Sequence, residues 1–182
     1  MRLNILMTGG TGFIGSRFVQ KLVDEGHQVY VLTRQPKKHQ DTQSVTYISY
    51  QYSMNRLPFI HAIVNLAGES LFGYWTEEKK DEIIESRVEV TEQLASMLMQ
   101  MKTKPNVFIT GSAVGFYGTA GEVIFTEDTK YPSSDFLGSV TKKWEAAAHV
   151  AEDLGIRTVY ARLGLVLHKD EGALPRMAMP IK

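Results

Sequence analysis

The residues best equipped for chemistry lie a few positions from the N-terminus, in Met7-Thr8-Gly9-Gly10-Thr11-Gly12-Phe13-Ile14-Gly15. Their glycines fit two overlapping patterns, Gly10-x-Gly12-x-x-Gly15 and the wider Gly9-x-x-Gly12-x-x-Gly15. One glycine lets the chain turn sharply off a strand, one lets the backbone approach a pyrophosphate, and the last lets a helix pack closely on a sheet. The start of that helix offers unpaired N–H groups and a partial positive charge to phosphate oxygens. Glycine patterns alone are weak, since a purely structural turn uses the same residues. Here an apolar run, Leu3 to Met7, leads in and an amphipathic run, Phe13 to Val23, leads out. That strand–turn–helix setting predicts a dinucleotide site, with Gly9, Thr11, Gly12, Phe13 and Ile14 around the phosphates.

The end of the second strand indicates which dinucleotide. A carboxylate there would hold the ribose hydroxyls of NAD, whereas an arginine would accept the 2′-phosphate of NADP. The chain has Thr33-Arg34, then Lys37 and Lys38, and no carboxylate before Asp41. A guanidinium suits a phosphate and gains little from a neutral ribose, so NADP(H) is expected over NAD(H); a solvated basic loop is the plainer alternative. Leu66, Ala67 and Gly68 end another apolar run, and such small residues at a strand's carboxyl end permit close approach by a cofactor. In Gly111-Ser112-Ala113-Val114-Gly115-Phe116-Tyr117-Gly118, the hydroxyls of Ser112 and Tyr117 follow a strand end, where a nicotinamide and a substrate would meet.

Bulk properties exclude other classes. The 182 residues suit one domain, or one domain and part of another. Twenty basic and twenty acidic residues give zero formal charge, with no long like-charge block, so neither nucleic acid nor an anionic membrane is indicated as a partner. No apolar run reaches transmembrane length, and the N-terminus runs directly into a strand, so no signal peptide is expected. The chain has no cysteine, which removes thiolate chemistry and cysteine metal sites and fits a cytoplasmic location. His27, His39, His61, His149 and His168 lack metal-ligand spacing, and no Gly-x-x-x-x-Gly-Lys loop offers to hold a triphosphate.

The elements that must position these residues alternate. A first helix carries Ile14, Phe18 and Leu22 as its stripe, with Val19 and Val23 beside them, and closes at Asp24-Glu25 with Gly26 as a left-handed cap. Strands are expected over Gln28 to Thr33, Val45 to Tyr50 and His61 to Leu66, with 51–59 irregular. A long helix from about Thr76 to Met101 turns Ile84, Val88, Thr91, Ala95 and Leu98 inward; Met97, Met99 and Met101 read as core and flank residues. Pro105 breaks it before a strand over Asn106 to Thr110. After a polar loop to Ser134, a helix from about Asp135 to Leu154 carries Leu137, Val140, Trp144, Ala147, Ala151 and Leu154, and Gly155 caps it. Ile156 to Leu167 reads as a sixth strand broken by Arg162 and Gly164; the tail from His168 has no clear period. The alternation predicts an α/β fold, a doubly wound parallel sheet with helices on both faces.

These residues resemble the extended short-chain dehydrogenase/reductase superfamily, the sugar-nucleotide epimerase and dehydratase group. The likeness rests on Thr8 to Gly15, Asn65-Leu66-Ala67-Gly68 and the Ser112 to Gly118 segment. More narrowly, the chain is similar to an "epimerase family" of bacterial proteins often labelled cell-division inhibitors, through Asn65 to Glu69, Gly111 to Gly118, Asp135-Phe136-Leu137, Trp144-Glu145 and Arg162 to Leu167. The resemblance implies a Rossmann domain over 1–167 and, in 168–182, the start of a smaller C-terminal substrate domain, entered at Gly172-Ala173-Leu174. The chain stops at Lys182, where that domain should begin, which predicts a truncated or partly ordered chain lacking much of its substrate pocket.

The superfamily transfers protons with a Tyr-x-x-x-Lys pair on the helix after strand five. Here the two positions fall on Leu137 and Thr141, or one place earlier on Phe136 and Val140. The superfamily's catalytic serine or threonine falls on Ala113, beside Ser112. Tyr117 is the remaining phenol: packing under the cofactor is its plainer role and proton transfer its sharper one. Lys142 and Lys143 read as a solvent-facing pair. The expected function is NADP(H)-dependent hydride transfer on a carbonyl, carbinol or sugar-nucleotide-like small molecule, with a homo-oligomer allowed. A non-enzymatic NADP(H) sensor or partner-binding regulatory protein on the same fold is the alternative.

Overall fold

Six strands form one parallel sheet in the computed structural model, which describes residues 1–129 and 135–178, the side chain of Arg176 apart. They are β1 (Asn4–Thr8), β2 (Gln28–Leu32), β3 (Val45–Ile48), β4 (Ala62–Asn65), β5 (Val107–Ala113) and β6 (Arg157–Leu163), in the order β3-β2-β1-β4-β5-β6. The apolar runs that nucleate them are continuous because the sheet is covered on both faces. In β1, Ile5 and Met7 face one side and Leu6 the other, and all three are buried.

Helix α1 (Phe13–Asp24) lays Val19 on the first face, against Ile5, Met7, Val29, Val31 and Val64. Helix α2 (Glu77–Gln100) covers the second face with Leu94, Met97 and Leu98, which pack with Leu6, Leu32, Ile63 and Phe108. Helix α3 (Phe136–Ala148) and the single turn α4 (Val150–Asp153) add Ala148 and Ala151 to the same cluster. Gly26 (φ +82°) and Gly155 (φ +74°) end α1 and α4 in the left-handed conformation expected of them.

Several expectations are corrected. Thr91, Ala95 and Leu98 of the expected α2 stripe are buried, but the first buried residue is Ile83 rather than Ile84, Leu94 and Met97 join the stripe, and Val88 is only half-buried. In α3 it is Ala148, not Ala147, that is fully buried, with Thr141 and Glu145 beside it. The helix is interrupted at His149, whose N–H is shared between the carbonyls of Glu145 and Ala146 while its own carbonyl accepts from Glu152. Lys143 is exposed and Lys142 half-buried, so they are not a solvent-facing pair. Strand β5 continues past Thr110 through Gly111-Ser112-Ala113, and β6 runs unbroken through Arg162, because these stretches pair with each other. The methionines are core and flank residues as expected, with Met97 and Met101 buried and Met99 exposed. A 3-10 turn (Met54–Arg56) lies within the irregular 51–59 stretch. The end of the polar loop at 130–134 and the last four residues of the 168–182 segment lie outside the described residues.

The glycine turn fixes the tightest contact in the fold. A Cβ on Gly15 would stand 2.1 Å from the Gly9 carbonyl oxygen, closer than any real contact, and backbone rather than a side chain would have to yield. Gly15→Ala is therefore expected to lower unfolding free energy by about 3 kcal/mol or more in urea titration. Gly121→Ala, where an added Cβ meets nothing within 4 Å, is expected to stay within about 0.5 kcal/mol of the parent.

Candidate functional site

The strand order reverses between β1 and β4, and the loops leaving their carboxyl ends frame a crevice there. The two loops touch. Gly9 adopts φ +68°, and a Cβ on it would fall 2.4 Å from the Leu66 carbonyl oxygen. Gly12 N–H donates to the Gly9 carbonyl at 3.0 Å, closing the turn, and Gly12 is the N-cap of α1. No side chain caps this helix and its first turn holds no acid. The N–H groups of Phe13 and Ile14 thus remain open to an anion beside Leu66, Ala67 and Gly68, and Thr11 is exposed at the rim.

Beneath this crevice lies a buried polar row. Thr8, Asn65 and Thr110 are register partners across β1, β4 and β5, and none is solvent-exposed. Thr8 Oγ1 donates to Asn65 Oδ1 at 2.6 Å, while Asn65 Nδ2 donates to Thr91 Oγ1 of α2 at 2.8 Å and to Thr110 Oγ1 at 3.2 Å. The Ala67 N–H donates to Thr8 Oγ1 at 3.2 Å, which ties the loop after β4 to the end of β1. One turn along α2, Arg87 donates to the carbonyls of Ile83 and Glu69 and lies 5.4 Å from the Trp144 ring centre. Its nearest approach to Gly68 is tight enough that a Cβ there would meet the guanidinium at 3.0 Å. Burial lowers the proton affinity of this guanidinium, with Glu69 partly opposing. The Trp144 indole N–H is buried without an acceptor among the described residues.

Arg34 follows β2 and lines a cavity of about 660 Å³ with Tyr50, Gln51, Glu69 and, from α2, Glu82, Glu85 and Glu89. No carboxylate lies within salt-bridge distance of Arg34 among the described residues. Lys79 instead takes the acid nearest the loop, donating to Glu69 Oε1 at 3.0 Å, and this hydrogen bond holds the Glu69 carboxyl below its ordinary range. Among the described residues, Arg34 is the only cation lining this otherwise acidic cavity.

Ser112 and Tyr117 come together at the ends of β5 and β6, joined by two residues that sequence reasoning had given no site role. Arg162 is the register partner of Ser112. Its Nε and Nη2 donate to Glu145 Oε1 and Oε2 at 2.9 and 3.0 Å, and its Nη1 donates to the Tyr117 oxygen at 2.9 Å. Ser112 Oγ donates to Glu145 Oε1 at 2.6 Å, so the serine proton is directed into the network rather than toward the crevice. The Glu145 hydrogen bonds strengthen the hold of Arg162 on its proton. An arginine in an apolar strand was the available signal, since such a charge needs a partner, but the partner lies 17 residues away on a helix.

The segment after β6 returns toward the glycine turn. Leu167 bridges Gly172, and Gly172 packs so closely on Phe13 that a Cβ there would meet the ring at 2.8 Å. Arg17 of α1 pairs with Glu171 at 2.9 Å and reaches His168. No described helix is long and apolar enough to cross a membrane.

The sheet, the glycine turn and the crevice define an NAD(P)-binding Rossmann fold. Residues 5–179 match the NAD dependent epimerase/dehydratase family, and the chain belongs to that family. It is 41% identical to the epimerase family protein YfhF of Bacillus subtilis over 184 residues, covering 99% of this chain and 60% of that one. The structure superposes on human epimerase family protein SDR39U1 (isoform 2), solved with NADPH, at TM-score 0.84 and 31% identity, covering 98% of this chain and 59% of the human one. It matches the nucleoside-diphosphate sugar epimerase of Corynebacterium glutamicum at TM-score 0.75 and 29% identity, covering 100% of this chain and 38% of that one. The chain thus spans about 60% of the length of its curated relative.

Replacing Asn65 tests the row beneath the crevice. Asn65→Leu keeps the volume and strands the Thr8 hydroxyl without its acceptor. It is expected to cost about 2–3 kcal/mol in urea titration and to speed amide exchange at Ala67.

Proposed function

We propose that the protein binds NADP(H), with Gly9, Thr11, Gly12, Phe13 and Ile14 around the pyrophosphate, Leu66, Ala67 and Gly68 along the cofactor, and Arg34 on the 2′-phosphate. The observation that carries this reading is Arg34: a cation at the end of β2, facing a cavity large enough for an adenosine and held by no carboxylate. A phosphate there would accept paired hydrogen bonds from the guanidinium, which a neutral ribose would leave unused, and these contacts would have to outweigh repulsion from the glutamates lining the same cavity. NADPH in the human relative supports the same choice. Bound in this way, the cofactor would exchange hydride with a small molecule of carbonyl, carbinol or sugar-nucleotide type, as the Corynebacterium relative's name suggests. Tyr117 and Ser112 are the catalytic candidates of the described residues, and the site needs no metal. Residues 1–167 would form the cofactor domain and 168–182 the entry to a substrate domain; the place of action would be the cytoplasm.

One observation favours a second reading. Helix α3 carries no tyrosine, and the Ser112 proton is already engaged by Glu145. A cofactor sensor would need neither group. Tight NADPH binding without turnover, together with a protein partner that binds only the loaded form, would support it.

The decisive experiment is a fluorescence titration of the full-length protein with NADPH and with NADH. NADPH is expected to bind at least about 10-fold more tightly, and Arg34→Ala to remove that gap while leaving NADH affinity nearly unchanged. If a demonstrably folded protein binds neither, the glycine turn is structural and the reading fails.

A further inference from the structure

Among the described residues, the network at the ends of β5 and β6 leaves one proton without an acceptor. Arg162 uses one edge of its guanidinium on Glu145 and the other on the Tyr117 oxygen and, at 3.3 Å, the Glu127 carbonyl. Phe116 covers one face of that guanidinium at 3.6 Å. The Tyr117 ring stacks on Phe125 at 5.6 Å and takes Phe116 edge-on at 5.5 Å. Tyr117 is only 9% exposed, its oxygen accepts from Arg162, and among the described residues its own O–H has no acceptor. A buried hydroxyl proton calls for an acceptor, so this donor is available to an oxygen brought to the ends of β5 and β6.

We propose that Tyr117 delivers a proton to the substrate oxygen, and that Arg162 and Glu145 are the positioning residues that aim it. This rests on the NADP(H)-dependent reading above. A bound reduced nicotinamide would supply hydride to a carbonyl carbon, while Tyr117 would give its proton to the carbonyl oxygen, so that a carbinol would leave. The Tyr117 oxygen is left anionic against the Arg162 N–H until solvent returns a proton. Arg162 would play the part of the lysine in a Tyr-x-x-x-Lys pair, but it comes from a strand rather than from the next helical turn. Its charge is already matched by Glu145, so the resting network is neutral and the anion forms beside a fixed donor. Ser112 fixes the Glu145 carboxylate and is a positioning residue as well.

Two readouts on the full-length protein test this. With tyrosines carbon-13-labelled at Cζ, the resonance absent from Tyr117→Phe belongs to Tyr117. Arg162→Gln should move it and Arg162→Lys should restore much of the shift; an unmoved resonance overturns the role of Arg162. With NADPH and para-nitrobenzaldehyde or methylglyoxal as probes, Tyr117→Phe should lower kcat about 100-fold or more with NADPH affinity unchanged. Arg162→Gln should lower kcat at least about 10-fold with little change in KM, and Arg162→Lys should recover part of it. Wild-type turnover by Tyr117→Phe overturns the proton role, as does a parent protein that binds NADPH and reduces neither probe. Failure to bind NADPH would instead defeat the cofactor reading, and the tyrosine resonance would still decide whether Arg162 holds Tyr117.

Discussion

One side-chain amide determines where the crevice lies. Asn65 sits fully buried at the last position of β4, and its oxygen and nitrogen reach β1, β5 and α2 together. A parallel sheet has no hairpin turns to set its register, and apolar side chains tolerate slippage along a strand more readily than hydrogen bonds do. The row Thr8–Asn65–Thr110 aligns three strands at one height. The loops after β1 and β4 can therefore meet, and β5 presents Ser112 two residues further on. Every polar atom of the amide side chain has a partner, so the row specifies the alignment without leaving a costly orphan.

Three arginines show how differently one side chain is used around this platform. Arg162 has its charge matched by a buried carboxylate and serves as a rigid fork. Arg87 has backbone carbonyls, the Ser86 hydroxyl and an indole face, and it holds the loop after β4 against α2. Arg34 has neither, although carboxylates line the same cavity. Geometry rather than residue type separates the structural cations from the one available to a ligand.

Much of the fold was legible because burial on both faces writes long apolar runs, and because glycine is required where Gly9 and Gly15 approach carbonyl oxygens. The glycine turn was legible for the same reason. What escaped was set by partners distant in sequence. Gly111-Ser112-Ala113 has too little side chain to read as strand, yet it pairs fully with β6. Arg162 looked like an interruption because Glu145, which makes it acceptable inside a strand, lies on α3. The start of the α2 stripe was hidden by Arg87, a polar residue turned toward the loop after β4, whereas Thr91, read as inward-facing, serves the Asn65 row.

The contact of Gly15 with Gly9, and of Gly9 with Leu66, has a thermodynamic consequence for signalling. The turn is locked by folding itself, so its ordering entropy is lost before any ligand arrives and occupancy has little left to rearrange there. A loop with one accessible shape transmits nothing. If occupancy of this crevice is to be felt elsewhere, the message must leave through an element that has two arrangements. The described segment lying against Phe13 is joined to α1 by the half-exposed Arg17–Glu171 pair, a contact that costs little to break.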